Sequence, residues 1–234
     1  MLIATDGACK RLGKPDCTAT GVAWFKTNEG DMFYKAHFET ASTSQRGEIW
    51  GLIEALRYAA DNTKDEDIII ITDSEYLHNT VMLDWCFKWR MNDWIAGSGS
   101  AAKNADLWEI VCSLIDRIGK ENVWLQWTKG HLISYTAGNT KTVMQQDISG
   151  ITLYSNVLSI ANRPSERDRV VAEFNKNRAK HDKDTIPDDI AIEWVVANVL
   201  ADCLAGYVET AFDQLYLGNQ EQVLANKLKK ETNK

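Results

Sequence analysis

Ile68-Ile69-Ile70-Ile71-Thr72-Asp73-Ser74 is an unbroken β-branched run that ends in a carboxylate. A run with apolar side chains on both sides of the pleat suits a strand buried on both faces, as central strands of helix-covered sheets are. Asp73 then emerges at the strand's end, where α/β folds place chemistry. Taken alone, Asp73 serves equally well as the cap of a helix starting near Glu75. Only carboxylates at comparable positions elsewhere in the chain would give it a chemical role.

Three such carboxylates flank it. Residues 2–5 read as a short strand ending at Asp6-Gly7-Ala8, and residues 21–25 and 32–39 complete a three-stranded meander around the turn Asn28-Glu29-Gly30-Asp31. A helix over 46–60 places Ile49, Leu52, Ile53, Leu56 and Ala60 on one face and Glu48 in its first turn, where the helix dipole also favours an acid. Asp202 falls near the start of a closing helix over 194–216.

Between the central run and that helix, the spacing predicts helices over 75–83 and 106–118. A fifth strand, Val123-Trp124-Leu125-Gln126-Trp127, leads to Thr128-Lys129-Gly130-His131. Trp85, Trp89, Trp94 and Trp108 cluster with Lys88, Arg90 and Lys103 around a Gly97-Ser98-Gly99-Ser100 hinge. Trp85 and Trp89, four apart, share a helix face as packing stripes do. Residues 132–193 are polar, with a strand expected at 150–154 and a charged helix over 165–180. Arg167, Arg169, Lys176 and Arg178 in that helix suit a solvated face of paired charges or a nucleic-acid clamp. The tail 218–234, with Lys227-Leu228-Lys229-Lys230, reads as a solvated helix.

At 234 residues the chain suits one domain carrying an insertion, and 44% hydrophobic with 25% charged residues is the balance of a soluble globular protein. Met1-Leu2-Ile3-Ala4 meets Asp6 before a secretory apolar region develops, and no stretch is expected to cross a membrane. The five scattered cysteines lack a C-x-x-C pair and read as reduced thiols, which points to the cytoplasm. A net charge of −7 argues against a general electrostatic grip on nucleic acid, so any such binding needs a local basic patch or metal ions.

Gathered together, Asp6, Glu48, Asp73 and Asp202 would repel one another, and a hard divalent cation would relieve that repulsion. Their order is familiar. Asp6-Gly7-Ala8-Cys9, Arg46-Gly47-Glu48, Thr72-Asp73-Ser74-Glu75-Tyr76, Lys103-Asn104-Ala105-Asp106-Leu107-Trp108, Trp127-Thr128-Lys129-Gly130-His131 and Asn198-Val199-Leu200-Ala201-Asp202-Cys203-Leu204-Ala205 resemble, in sequence order, the motifs of the type 1 ribonuclease H family.

That resemblance implies an α/β, RNase H-like fold: a five-stranded mixed sheet flanked by helices, here with an inserted lobe. It implies an endonuclease that cuts the RNA strand of RNA–DNA hybrids, leaving 5′-phosphate and 3′-hydroxyl ends. Asp6, Glu48, Asp73 and Asp202 would hold two Mg²⁺ ions, with Mn²⁺ able to substitute, and His131 would assist proton transfer or product release. Thr43, Ser44, Gln45, Ser74, Trp85, Lys88, Trp89, Arg90 and Asn198 fall where the family meets substrate, the tryptophans and bases forming its handle. Another nuclease of the same superfold (a junction resolvase, exonuclease or integrase-like enzyme) and a catalytically silent hybrid-binding protein are the alternatives.

The chain departs from the pattern at Glu75, which stands for a frequent Gln, at Ser44, which stands for a frequent Asn, and in a handle with few basic residues. The largest departure is that about seventy residues, not a short loop, separate His131 from Asp202, a length that loop-closure entropy tolerates. The expected division is a catalytic domain of residues 1–131 and 194–217, an inserted lobe at 132–193 that binds nucleic acid or a protein partner, and a tail at 218–234. Nothing in the sequence demands more than a monomer.

Overall fold

The computed structural model describes the chain except residues 65, 136, 148, 149, 182, 233 and 234, and except the side chains of 137, 138 and 219–232. Five strands, β1 (Leu2–Lys10), β2 (Thr18–Lys26), β3 (Met32–Thr40), β4 (Ile68–Thr72) and β5 (Val123–Trp127), form one sheet in the order β3-β2-β1-β4-β5. The first three pair antiparallel, while β1 with β4 and β4 with β5 run parallel.

The central isoleucines work as their pattern requires. Ile68 and Ile70 enter a core on one face with α1 (Ser44–Asn62) and α4 (Ala105–Ile118), and Ile71 enters a second core on the other face. The second core is built on α8 (Asp188–Thr232), and the insert's helices α5 (Ala137–Gln146), α6 (Ile151–Ala161) and α7 (Pro164–Lys180) join it. Met144, Leu153, Val157, Val170 and Phe174 from those helices are buried with Ala4, Val22 and Trp24 of the sheet. The insert thus covers one sheet face together with α8.

Several local expectations need correction. Residues 150–154 are not a strand, because α6 begins at Ile151. The short window alternates, yet its buried positions, Leu153, Val157 and Ala161, recur every fourth residue, which is a helical face. Asp6 is not at the end of β1, which continues to Lys10. It lies just past the end of the parallel pairing with β4, which stops at Ala4. Glu48 lies beyond the first turn of α1, which starts at Ser44 under a Thr43 cap. Asp202 sits about four turns into α8, not near its start.

By length and composition, Asp188–Gly218 of α8 passes the test for a membrane span that no stretch was expected to pass. Two-thirds of its apolar window is buried in the protein, with Ile192, Val195, Val196 and Leu200 at 0–2% exposure. The helical backbone continues through Thr232, and the side chains of Lys227-Leu228-Lys229-Lys230 lie outside the described residues.

Candidate active site

Close approach of α1 to the sheet brings the first two carboxylates together. A Cβ on Gly7 would stand 2.3 Å from the Glu48 backbone nitrogen, and one on Gly21 would stand 2.2 Å from that of Gly51. Glycine at both positions lets the helix backbone settle on β1 and β2, with Glu48 beside Asp6. Arg46 fixes the same turn from outside. Its guanidinium bonds both oxygens of Glu39 on β3, at 2.8 and 2.7 Å, and both of Asp106 on α4, at 3.0 and 2.9 Å.

Asp73 arrives from β4. Its carbonyl accepts the Trp127 Nε1 proton at 3.0 Å, and Ser74 caps α2 (Glu75–Met82) by accepting from the Leu77 nitrogen at 3.4 Å. Oxygens of Asp6, Glu48 and Asp73 lie within 4.8 Å of one another. Asp202 joins through His131, whose Nδ1 is 3.3 Å from its carboxylate. The His131 side chain is 78% exposed and its backbone is left-handed, with φ of 57°.

The cluster is electrostatically uncomfortable without a cation. Burial, then the charges of Glu48, Asp73 and Asp202, push the Asp6 carboxyl well above its ordinary range. Burial and the charge of Asp73 push Glu48 up to about 8. Asp73 is raised by burial and by Asp202, against smaller opposing effects of His131 and Asn198. Glu48 Oε2 is buried with no hydrogen-bond partner among the described residues. An orphaned oxygen among crowded carboxylates is the donor set of a hard divalent cation, so these residues fit one.

Gly130 borders the same space, because a Cβ there would stand 2.4 Å from Asp73 Oδ2. Gly130→Ala is expected to displace the Asp73 carboxylate and weaken divalent-cation binding about 10- to 100-fold while the far-UV circular dichroism is unchanged. Calorimetric titration with Mn²⁺ measures this, and native affinity in the variant would show that the loop yields instead.

The remaining sequence-selected residues divide. Thr43 caps α1, accepting from the Arg46 nitrogen at 3.3 Å, and Ser44 and Gln45 open that helix. Asn198 is 1% exposed and close enough to Asp73 to lower its pKa, yet its amide nitrogen completes no hydrogen bond among the described residues. The handle residues, on α3 (Trp85–Met91), are tied to one another and to α4. Trp85 and Trp89 rings stand 6.5 Å apart, Trp89 meets Trp108, Lys88 donates to the Leu83 carbonyl, and Arg90 pairs with Asp116. Trp85 remains 38% exposed. Glu75 is not one of the clustered carboxylates and lines a pocket with His78, Arg178 and His181.

Sequence reasoning missed Trp127 as a support of Asp73, and the close-approach roles of Gly7 and Gly130. The indole stood inside the recognised Trp127-Thr128-Lys129-Gly130-His131 motif, but only its register against Thr72 reveals the contact.

The chain is 37% identical over 131 residues to ribonuclease H of Haemophilus influenzae (strain 86-028NP), a match covering 55% of this chain and 77% of that one. It is 35% identical over 141 residues to ribonuclease H of Francisella tularensis subsp. novicida, covering 60% and 84%. The crystal structure of LC9-RNase H1, a type 1 RNase H with the type 2 active-site motif, superposes with a TM-score of 0.43 at 23% identity, over 64% of this chain and 71% of that one. The RNase H family profile matches residues 1–142, more than half the chain, and the chain belongs to that family.

Proposed function

We infer that the protein is a metal-dependent endonuclease that hydrolyses the RNA strand of RNA–DNA hybrids. The observation that carries the reading is the convergence of Asp6, Glu48 and Asp73 oxygens within 4.8 Å, with Asp202 beside them through His131. Family membership supports it independently, since relatives at 35–37% identity are named ribonuclease H.

Asp6, Glu48, Asp73 and Asp202 are the residues that would hold the metal, two Mg²⁺ ions with Mn²⁺ as a substitute. Bound divalent cations supply water activation and stabilisation of the leaving oxygen in phosphodiester hydrolysis. Crowding and burial hold the carboxylates ready for cations, and the close packing through Gly7 and Gly130 keeps them aligned. His131, exposed and 3.3 Å from the Asp202 carboxylate, is assigned to proton transfer or product release.

The first residues of α1 (Thr43 cap, Ser44, Gln45) and the Ser74 cap of α2 are assigned to substrate phosphates, as helix N-termini suit anions. Exposed Trp85 and its neighbours Lys88, Trp89 and Arg90 are assigned to the strand opposite the cut, and Asn198 to support of Asp73. Selection of RNA rests on 2′-hydroxyl contacts. A cytoplasmic monomer, with a catalytic domain of 1–131 and 194–217, is the form we assign to it.

End-labelled hybrid, double-stranded RNA, double-stranded DNA and a four-way junction test the reading side by side. Cutting is expected only in the hybrid's RNA strand, with 5′-phosphate on the product. Cutting of duplex or branched DNA instead would move the enzyme to another nuclease of the same superfold.

A further inference from the structure

Beside His131 the insert builds two adjoining grooves, of about 510 and 490 Å³, that share His131, Leu132 and Arg169 as common walls. Lys129, Arg163, Arg169 and Lys176 line them against only two carboxylates, Glu166 and Glu173. Those acids are already engaged. Arg169 takes both oxygens of Glu166 and also donates to the Leu132 carbonyl, while Glu173 is shared by Lys129 at 3.0 Å and Lys176 at 3.6 Å. Arg163 has no salt bridge among the described residues, so the grooves carry an uncompensated positive charge in a chain whose net charge is −7.

We propose that these grooves bind the sugar–phosphate backbone of the strand being cut, as it leaves the carboxylate cluster past His131. The proposal rests on the reading of the chain as a hybrid nuclease, and it gives the insert a role within that activity. From Arg163 to Lys176, α7 runs about 20 Å, on the order of six nucleotides of a strand. Phosphates along that length would meet Arg163 directly and compete with Glu173 for Lys129 and Lys176. Because His131 lines both grooves and stands 3.3 Å from the Asp202 carboxylate, the strand that reaches them is the one at the cut.

The residues differ from those that the charge pattern of the sequence singled out. Arg167 is turned away, bonded to Asn162 and Asp189, and Arg178 lies over Trp194 and reaches Gln126. Lys129 and Arg163, from outside the central run of the charged helix, take their places.

The test uses the full chain with Arg163→Glu and Lys176→Glu together, both exposed and outside the carboxylate cluster, against Lys14→Glu with Lys64→Glu as an equal change of net charge elsewhere. Affinity for a long hybrid is read by fluorescence anisotropy in EDTA between 50 and 200 mM salt, roughly the range over which phosphate contacts dominate, and cleavage is read in Mg²⁺. The groove pair is expected to weaken binding at least tenfold more than the control pair, to reduce the salt slope by about one to two, and to leave kcat unchanged. The same affinity and slope in both pairs would overturn the proposal. Should the native chain bind hybrid without cutting it, the activity assignment fails while the anisotropy comparison still decides the groove.

Discussion

Asp73→Asn is expected to lower kcat on an RNA–DNA hybrid by well over 100-fold while leaving the fold and the affinity for hybrid in place. Loss of a partner that merely orients a metal ligand already costs about 10- to 100-fold, and Asp73 is assigned as a ligand itself. The effect belongs in kcat because the carboxylate is assigned to the reacting centre, whereas the proposed strand contacts are assigned to α1, α2, α7 and the Trp85–Arg90 residues. Stability should not fall. The Asp73 carboxyl is raised by burial and by Asp202, so a neutral amide of the same shape removes a repulsion from the metal-free protein. Thermal melting in EDTA should therefore give a Tm equal to or above the native value. Turnover within tenfold of native would take Asp73 out of the metal site.

The second large effect is on stability against pH. Glu48 rises from 4.5 to about 8 on folding, so between those values the folded protein holds a proton that the unfolded chain has released. The group's stabilising contribution is complete below about pH 4.5 and is lost as pH rises through about 8. The change across that window is on the order of several kcal/mol, shared among the coupled acids. His37 and His78, whose pKa values burial lowers, act in the opposite direction below pH 6.5. The difference between the native chain and Glu48→Gln isolates the carboxylate. Urea denaturation in EDTA should show native stability falling relative to the variant from pH 5 to pH 8, and added Mg²⁺ should narrow that gap at pH 8 by binding the folded state. A gap that stays constant with pH would mean that Glu48 is solvated as an ordinary acid.

Residues 68–72 were legible as a central strand because the two-sided apolar pattern reports two buried faces, and the structure divides them between two cores. The four carboxylates were legible as a set only through the motifs around them. Their positions within elements were not: Asp6 lies inside a strand that continues on one neighbour only, and Asp202 lies deep in a helix. In neither case does local spacing mark the boundary that matters, which is where the neighbouring strand stops or where the helix meets the sheet. The insert was least legible. Its helices bury few residues each, α5 sends Met144 into the core from a largely polar sequence, and the apolar positions Leu153, Val157 and Ala161 reveal their period only beyond the five residues first read as a strand. Gly7 and Gly130 carry no chemical signal, since their importance is the space they leave beside Glu48 and Asp73.

The central claim, that these carboxylates cut RNA through bound divalent cations, is tested most directly by single-turnover cleavage of a hybrid with labelled RNA. The reaction is run in Mg²⁺, in EDTA, and in EDTA followed by excess Mg²⁺. Scission of the RNA strand is expected in the first case, none in the second, and recovery in the third. Scission at an equal rate in EDTA would contradict that claim.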